Sequence, residues 1–118
     1  MTLPERIIQL LPLEVQQKTY IGELPTDVDN CIAVGEIAGP FGTYFAHDQM
    51  NEPLIKVVVR DSVYPRGYEL IQACKNTLAS YADATTSLVL KNDVMYFGRD
   101  DARRNIWQLT FKVFNIGG

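Results

Sequence analysis

The sequence is short of the residues that most chemistry requires. It has two cysteines, Cys31 and Cys74, and a single histidine, His47. The cysteines lie far apart with no CxxC pairing, so they match neither a zinc site nor a disulfide-stapled secreted scaffold. Two buried, reduced thiols are expected instead. Basic charge is also scarce, since Lys and Arg number 11 against 14 Asp and Glu, a net charge of −3. A broad attraction to the phosphates of nucleic acid needs a clustered excess of Lys and Arg, so direct, sequence-specific nucleic-acid binding is not expected. No long apolar run is present. The stretch MTLPERIIQLLPLEV carries Glu5 and Arg6 and reads as neither a signal peptide nor a membrane span, which leads to the expectation of a protein assembled in the cytoplasm.

What is present suits folding into one compact body. With 118 residues, 47% of them hydrophobic, the chain is expected to form a single domain over 1–118. Leu3, Ile7, Leu10 and Leu11 fall at helical spacing and Pro12 stops that helix. KTYIGEL and CIAVGEI read as two strands around the turn PTDVDN, predicting a hairpin. In NEPLIKVVVRDSVYPRGYELIQACKNTL the apolar period changes midway. Ile55, Val57 and Val59 share one face of a strand. A helix then starts near Val63, with Asp61 or Ser62 as acceptors for its free amides and Pro65 tolerated in its first turn. Tyr68, Ile71, Cys74 or Lys75, Leu78 and Tyr81 mark its inward face.

TTSLVL, VMYF and NIWQLTFKVFNI read as three more strands, with KND and GRDDARR as turns and Trp107, Leu109, Phe111 and Val113 alternating inward. The expected fold class is therefore α+β: a mostly antiparallel sheet of about six strands with two helices packed on one face.

Candidate chemistry is thin. His47 beside Asp48 could form an acid–base pair, but no motif places a nucleophile, and a solvated loop histidine is the simpler reading. The glycines at 35, 39 and 42 form neither GxGxxG nor a Walker sequence. No catalytic, metal-binding or cofactor-binding residues are assigned. Residues 38–52 carry three aromatics without sustained period, as expected of a long contact loop. GRDDARR, residues 98–104, could bind an anion, pair with a neighbouring subunit or form a solvated hairpin tip.

Three segments together resemble the minor capsid or tail-terminator proteins of tailed bacteriophages. They are IGELPTDVDNCIAV, EPLIKVVVRDSVYPRGYELI and FGRDDARRNIWQLTFKVFNI. The recurring features are an LP-x-x-x-D-N-C-I turn, an E-P-x-x-x-V-x-V-R-D strand with a following Tyr, and a G-R-D hairpin, in that order. A departure is Ala102, where the hairpin tip of the family often has Gly; a left-handed turn residue is expected at that position. The resemblance implies a non-enzymatic virion protein of the tail–neck region. It would form a ring, by analogy a hexamer, on the head-proximal end of the tail tube, end tube growth and dock the head. The implied partners are further copies of the chain, the major tail tube protein and a head-completion or neck protein, with no membrane. The contact residues expected are Phe41, Tyr44 and Phe45 as apolar anchors and Arg99, Asp100, Asp101, Arg103 and Arg104 as charge partners. Another neck or head-closure component, or a small-ligand-binding domain, are the competing classes.

Overall fold

A computed structural model of the chain describes residues 2–37, 54–84 and 86–115. Among these residues eight elements follow in order: α1 Leu3–Leu10, α2 Leu13–Gln16, β1 Thr19–Ile21, β2 Cys31–Ile37, β3 Leu54–Asp61, α3 Tyr64–Leu78, β4 Thr86–Arg99 and β5 Asn105–Asn115. The strands make one mixed sheet in the order β1-β2-β3-β5-β4. The class is thus α+β, with five strands and three helices among the described residues where about six and two were expected.

The first helix is fixed locally. Thr2 accepts the Glu5 N–H while the Glu5 carboxylate accepts the Thr2 N–H, a reciprocal cap at the N-terminus. Ile7, Leu11 and Val15 then point into the sheet. On β3 the alternation holds as predicted, with Ile55, Val57 and Val59 fully buried. Across the ladder they face Phe111, Leu109 and Trp107 on β5. On the other side Val57 and Val59 face Val34 and Ile32 on β2. Directly opposed residues share a face, so these side chains form one continuous apolar surface. Ile71, Cys74 and Leu78 of α3 cover it together with α1.

Four expectations need correction. β1 and β2 do not form a hairpin, because they pair in parallel, Thr19 with Ile32 and Ile21 with Val34. Gly22, at φ 88°, turns the chain off β1 and its N–H bonds Val34 O at 2.8 Å. Residues 22–30 then run back across the face opposite the helices. Gly22 packs on Gly35 so closely that a Cβ at 35 would lie 3.2 Å from its backbone, and Cys31, Ala33 and Gly35 are buried there.

The KND stretch is not a turn. Residues 86–99 form one 14-residue strand, with register shifts between Leu90 and Asn92, Asn92 and Met95, and Tyr96 and Gly98. The extra residues are absorbed as bulges, which keep the pairing with β5 and twist the strand. Asp93 instead holds Lys75 of α3 at 2.9 Å. On α3, Tyr68 is not inward but exposed, and Gly67 takes the buried position. Asp61 accepts the Val63 N–H at 2.8 Å, one residue short of the helix, so α3 begins without a side-chain cap bond.

Both cysteines are free and buried as expected. Burial alone raises the Cys74 thiol to about 12.

Candidate functional site

One end of the sheet gathers the three segments that carry the family resemblance. Cys31 opens β2, Arg60 and Asp61 close β3, and Asn105 opens β5. Register pairs Arg60 with Cys31 on one side and with Ile106 on the other. Sequence-distant polar groups are therefore placed side by side.

Arg60 is buried on the face opposite the helices, and its Nη2 donates to the carbonyls of Pro25 and Val28. Arg104 reaches the same loop from the β4–β5 hairpin. Its Nη1 donates to Thr26 O at 2.8 Å and lies 3.6 Å from the Asp29 carboxylate. Two guanidiniums thus satisfy carbonyls of a loop that has no ladder of its own. A loop left with unpaired buried carbonyls would be costly. Cys31 sits within this group, its Sγ donating to Val28 O at 3.5 Å. Desolvation raises its thiol, and the nearby charges of Arg60 and Arg104 act in the opposite direction.

The hairpin tip is built around Asp100. Its Oδ1 accepts the backbone N–H of Ala102 at 2.9 Å and of Arg104 at 3.0 Å, and its Oδ2 accepts Arg104 Nε at 2.9 Å. The Arg104 backbone N–H is the first cause that holds this carboxyl below the usual aspartate range, with the Arg104 side chain and the Ala102 N–H adding to it against desolvation. Asp100 in turn aims Arg104 at the 22–30 loop.

Of the residues expected at an interface, Arg104 is 9% exposed and occupied within its own chain. Asp100 is half-buried and likewise engaged. Arg99, Asp101 and Arg103 point outward at the tip. Phe41, Tyr44 and Phe45, with His47 and Asp48, lie outside the described residues.

The left-handed residue at the tip is Arg103, at φ 63°, rather than Ala102. A side chain with a Cβ is strained there. Arg103→Gly is expected to stabilise the fold slightly, by at most about 1 kcal/mol, and so to raise the unfolding midpoint. A lowered midpoint in thermal unfolding would show that the Arg103 side chain supports the tip.

A second network supports β3 and β5. Asp61, fully buried, takes a two-pronged bond from Arg66, Nε to Oδ2 at 2.7 Å and Nη2 to Oδ1 at 2.8 Å. Asn105 Nδ2 donates to Asp61 O at 3.1 Å, and Tyr96 OH donates to Asn105 Oδ1 at 2.7 Å. Above it lie packed rings: Tyr64 stands 5.2 Å from Trp107 and 5.4 Å from Tyr96, and Tyr96 stands 5.3 Å from Trp107. Trp107 is buried, while Tyr64, Tyr68 and Tyr96 are exposed.

Elsewhere, an open groove beside α1 is lined in part by Leu3, Arg6, Leu10 and Tyr81. Its polar groups are engaged with each other, Arg6 Nη2 with Thr86 Oγ1 at 2.9 Å and Tyr81 OH with Asp83 at 2.5 Å. Among the described residues no cluster of His, Cys, Asp or Glu could hold a metal ion, and no helix is long and apolar enough to cross a membrane.

The polar cluster thus ties down its own loop, beside a sheet whose edge strands carry exposed apolar side chains. The model of the bacteriophage tail terminator protein family matches residues 6–113. The chain belongs to that family. It is a structural protein of the phage tail and a virion component that interacts with other tail and head proteins, in a family typically without enzymatic activity. No curated protein matches the chain.

Proposed function

We propose that copies of this protein form a ring on the head-proximal end of the tail tube, stop tube growth and present the surface to which the head docks. The observation that carries this reading is the difference between the two ends of one rigid sheet. At one end the chain leaves β2 at Ile37 and re-enters β3 at Leu54, which are register partners. At the other stands the clamped hairpin, with Arg99, Asp101 and Arg103 exposed. Seven-residue strands separate these ends by roughly 20 Å. A cap needs that asymmetry, because one face must bind the last tube ring and the other must refuse another tube subunit. Contacts between unlike surfaces of identical copies close into a ring when the rotation closes. The ring size expected from the family resemblance is six. Arg99, Asp101 and Arg103 act as charge partners at the tip, and Phe41, Tyr44 and Phe45 as apolar anchors on the 38–52 segment.

Particles lacking the protein test this directly by electron microscopy. Overlong tails unattached to heads are expected, restored to uniform length by supplying the protein. Tails of normal length that fail to join heads would make it another neck component. Normal, joined particles would overturn the reading.

A further inference from the structure

Among the described residues the sheet ends in two edge strands, β1 and β4, and they are chemically unlike. Among the described residues, the large apolar side chains left exposed concentrate at these edges and at the helix start beside one of them. Tyr20 and Ile21 lie on β1, and Leu13 on the short helix α2 that precedes it. Val89, Met95, Tyr96 and Phe97 lie on β4, with Val63, Tyr64 and Tyr68 at the start of α3 near Tyr96. Leu13 is 75% exposed, Ile21 57%, and Met95 and Phe97 54% each. Apolar surface gathered at sheet edges, where backbone donors and acceptors also stand unpaired, marks a contact surface.

The two edges fit each other better than either fits itself. The outer side of β4 is covered at its beginning, where Ala82 bridges Ser87 and the Leu88 N–H bonds Tyr81 O at 3.0 Å. Beyond Val89 it continues to Arg99 with no further strand beside it among the described residues. This open part carries exposed Lys91 and Arg99, while its acid Asp93 is paired with Lys75. The β1 edge is flanked by exposed Glu14 and Glu23, with half-buried Lys18 between them, so acids outnumber bases there. Pairing β4 with β4 would bring bases together, and β1 with β1 would bring acids together; β4 against β1 matches charge and places apolar side chains on both sides.

We infer that the open half of β4 in one copy, residues 89–99, docks against the β1 edge of the next copy, so that a second copy of this chain is the occupant of each edge. Such a contact is heterologous, so it propagates head to tail and can close only as a ring. It is lateral, so it leaves Asp101 and Arg103 at the hairpin tip available to an axial partner. The three bulges of β4 limit main-chain pairing to short stretches, and Met95, Tyr96 and Phe97 against Tyr20 and Ile21 supply most of the contact. This inference rests on the ring reading and specifies which surfaces make the ring.

Cysteine cross-linking tests it, because Cys31 and Cys74 are buried and silent toward a short bismaleimide. Ile21→Cys and Phe97→Cys are made separately, and tails are assembled in cells producing one variant or both. A cross-linked pair is expected only when both are present, and a chain carrying both changes is expected to give a ladder that ends at the ring. Cross-links from Phe97→Cys alone would show β4 meeting β4 and overturn the inference. Absence of mixed cross-links in tails that contain the protein and have normal length would also overturn it, while leaving the capping role standing. Met95→Glu gives a second readout: an unchanged unfolding midpoint with loss of the ring supports the inference, and an intact ring defeats it. Failure of the capping role itself is read separately, from tail length in particles without the protein.

Discussion

Trp107→Ala is expected to destabilise the protein by about 3–5 kcal/mol, the range for removing a large buried aromatic side chain. Trp107 is 1% exposed and lies where β5, α3 and the Tyr64–Tyr96 ring pair meet. Its loss would leave a cavity that the rigid sheet on one side cannot fill. The same contact can be approached from the helix. Gly67 lies at the end of the first turn of α3, its N–H already bonded to Val63 O, where Ala would ordinarily be preferred by about 0.5–1 kcal/mol. A Cβ there, however, would stand 2.3 Å from Trp107 Cζ3, 2.8 Å from Cη2 and 2.9 Å from Asp61 Cβ. Gly67→Ala is therefore expected to destabilise by about 1–3 kcal/mol, the cost of overpacking. The double variant should be better than the sum, because the new methyl enters space the indole has left. Denaturant unfolding of the four proteins decides the matter: strictly additive costs would mean that the two side chains do not share that space.

Arg104→Glu is expected to cost about 3–5 kcal/mol, the range for breaking a buried, hydrogen-bonded charge pair. The new carboxylate would face the carbonyls of Thr26 and Val28 and the carboxylates of Asp29 and Asp100. Arg103→Glu, one residue away and exposed, should leave the unfolding midpoint nearly unchanged. This separates two residues that look equivalent in DDARR. It also means that a double reversal at 103 and 104 would report on folding before it reported on assembly. Equal and small shifts for the two single variants would remove Arg104 from the clamp. The clamp also has a pH signature. The Asp100 carboxyl is held below its ordinary value, so its contribution is fully present above the unfolded-state value near 4. It is lost as pH falls through the lower, folded-state value. Asp100→Asn should flatten the acid side of the stability profile.

Local patterning carried much of the fold. The helix that Pro12 ends, the alternation of Ile55, Val57 and Val59, the start of α3 near Val63 and the inward set Trp107, Leu109, Phe111 and Val113 all follow from spacing. In each case a single period decides which face is apolar, and burial of that face dominates the energetics. The family, too, was legible, because the order of three short motifs is a linear property of the chain.

What spacing could not decide was pairing between distant segments. PTDVDN has the composition of a hairpin turn, yet β1 runs parallel to β2, and Arg60 and Arg104, from 30 and more residues away, take up the carbonyls of Pro25, Thr26 and Val28 that the crossing loop brings with it. KND has turn composition as well, but β5 is long enough to pair on both sides of it, so the surplus residues become bulges. Tyr68 fits the helical stripe, but only the approach of Trp107 shows that Gly67 must occupy the inward site. Arg103 and Arg104 are neighbours of equal charge, and the sequence by itself determined only that both stand near Asp100. The tertiary structure turned one outward in a left-handed turn and the other inward onto a loop, since a buried guanidinium is stable only where several acceptors converge, and those acceptors come from elsewhere in the chain.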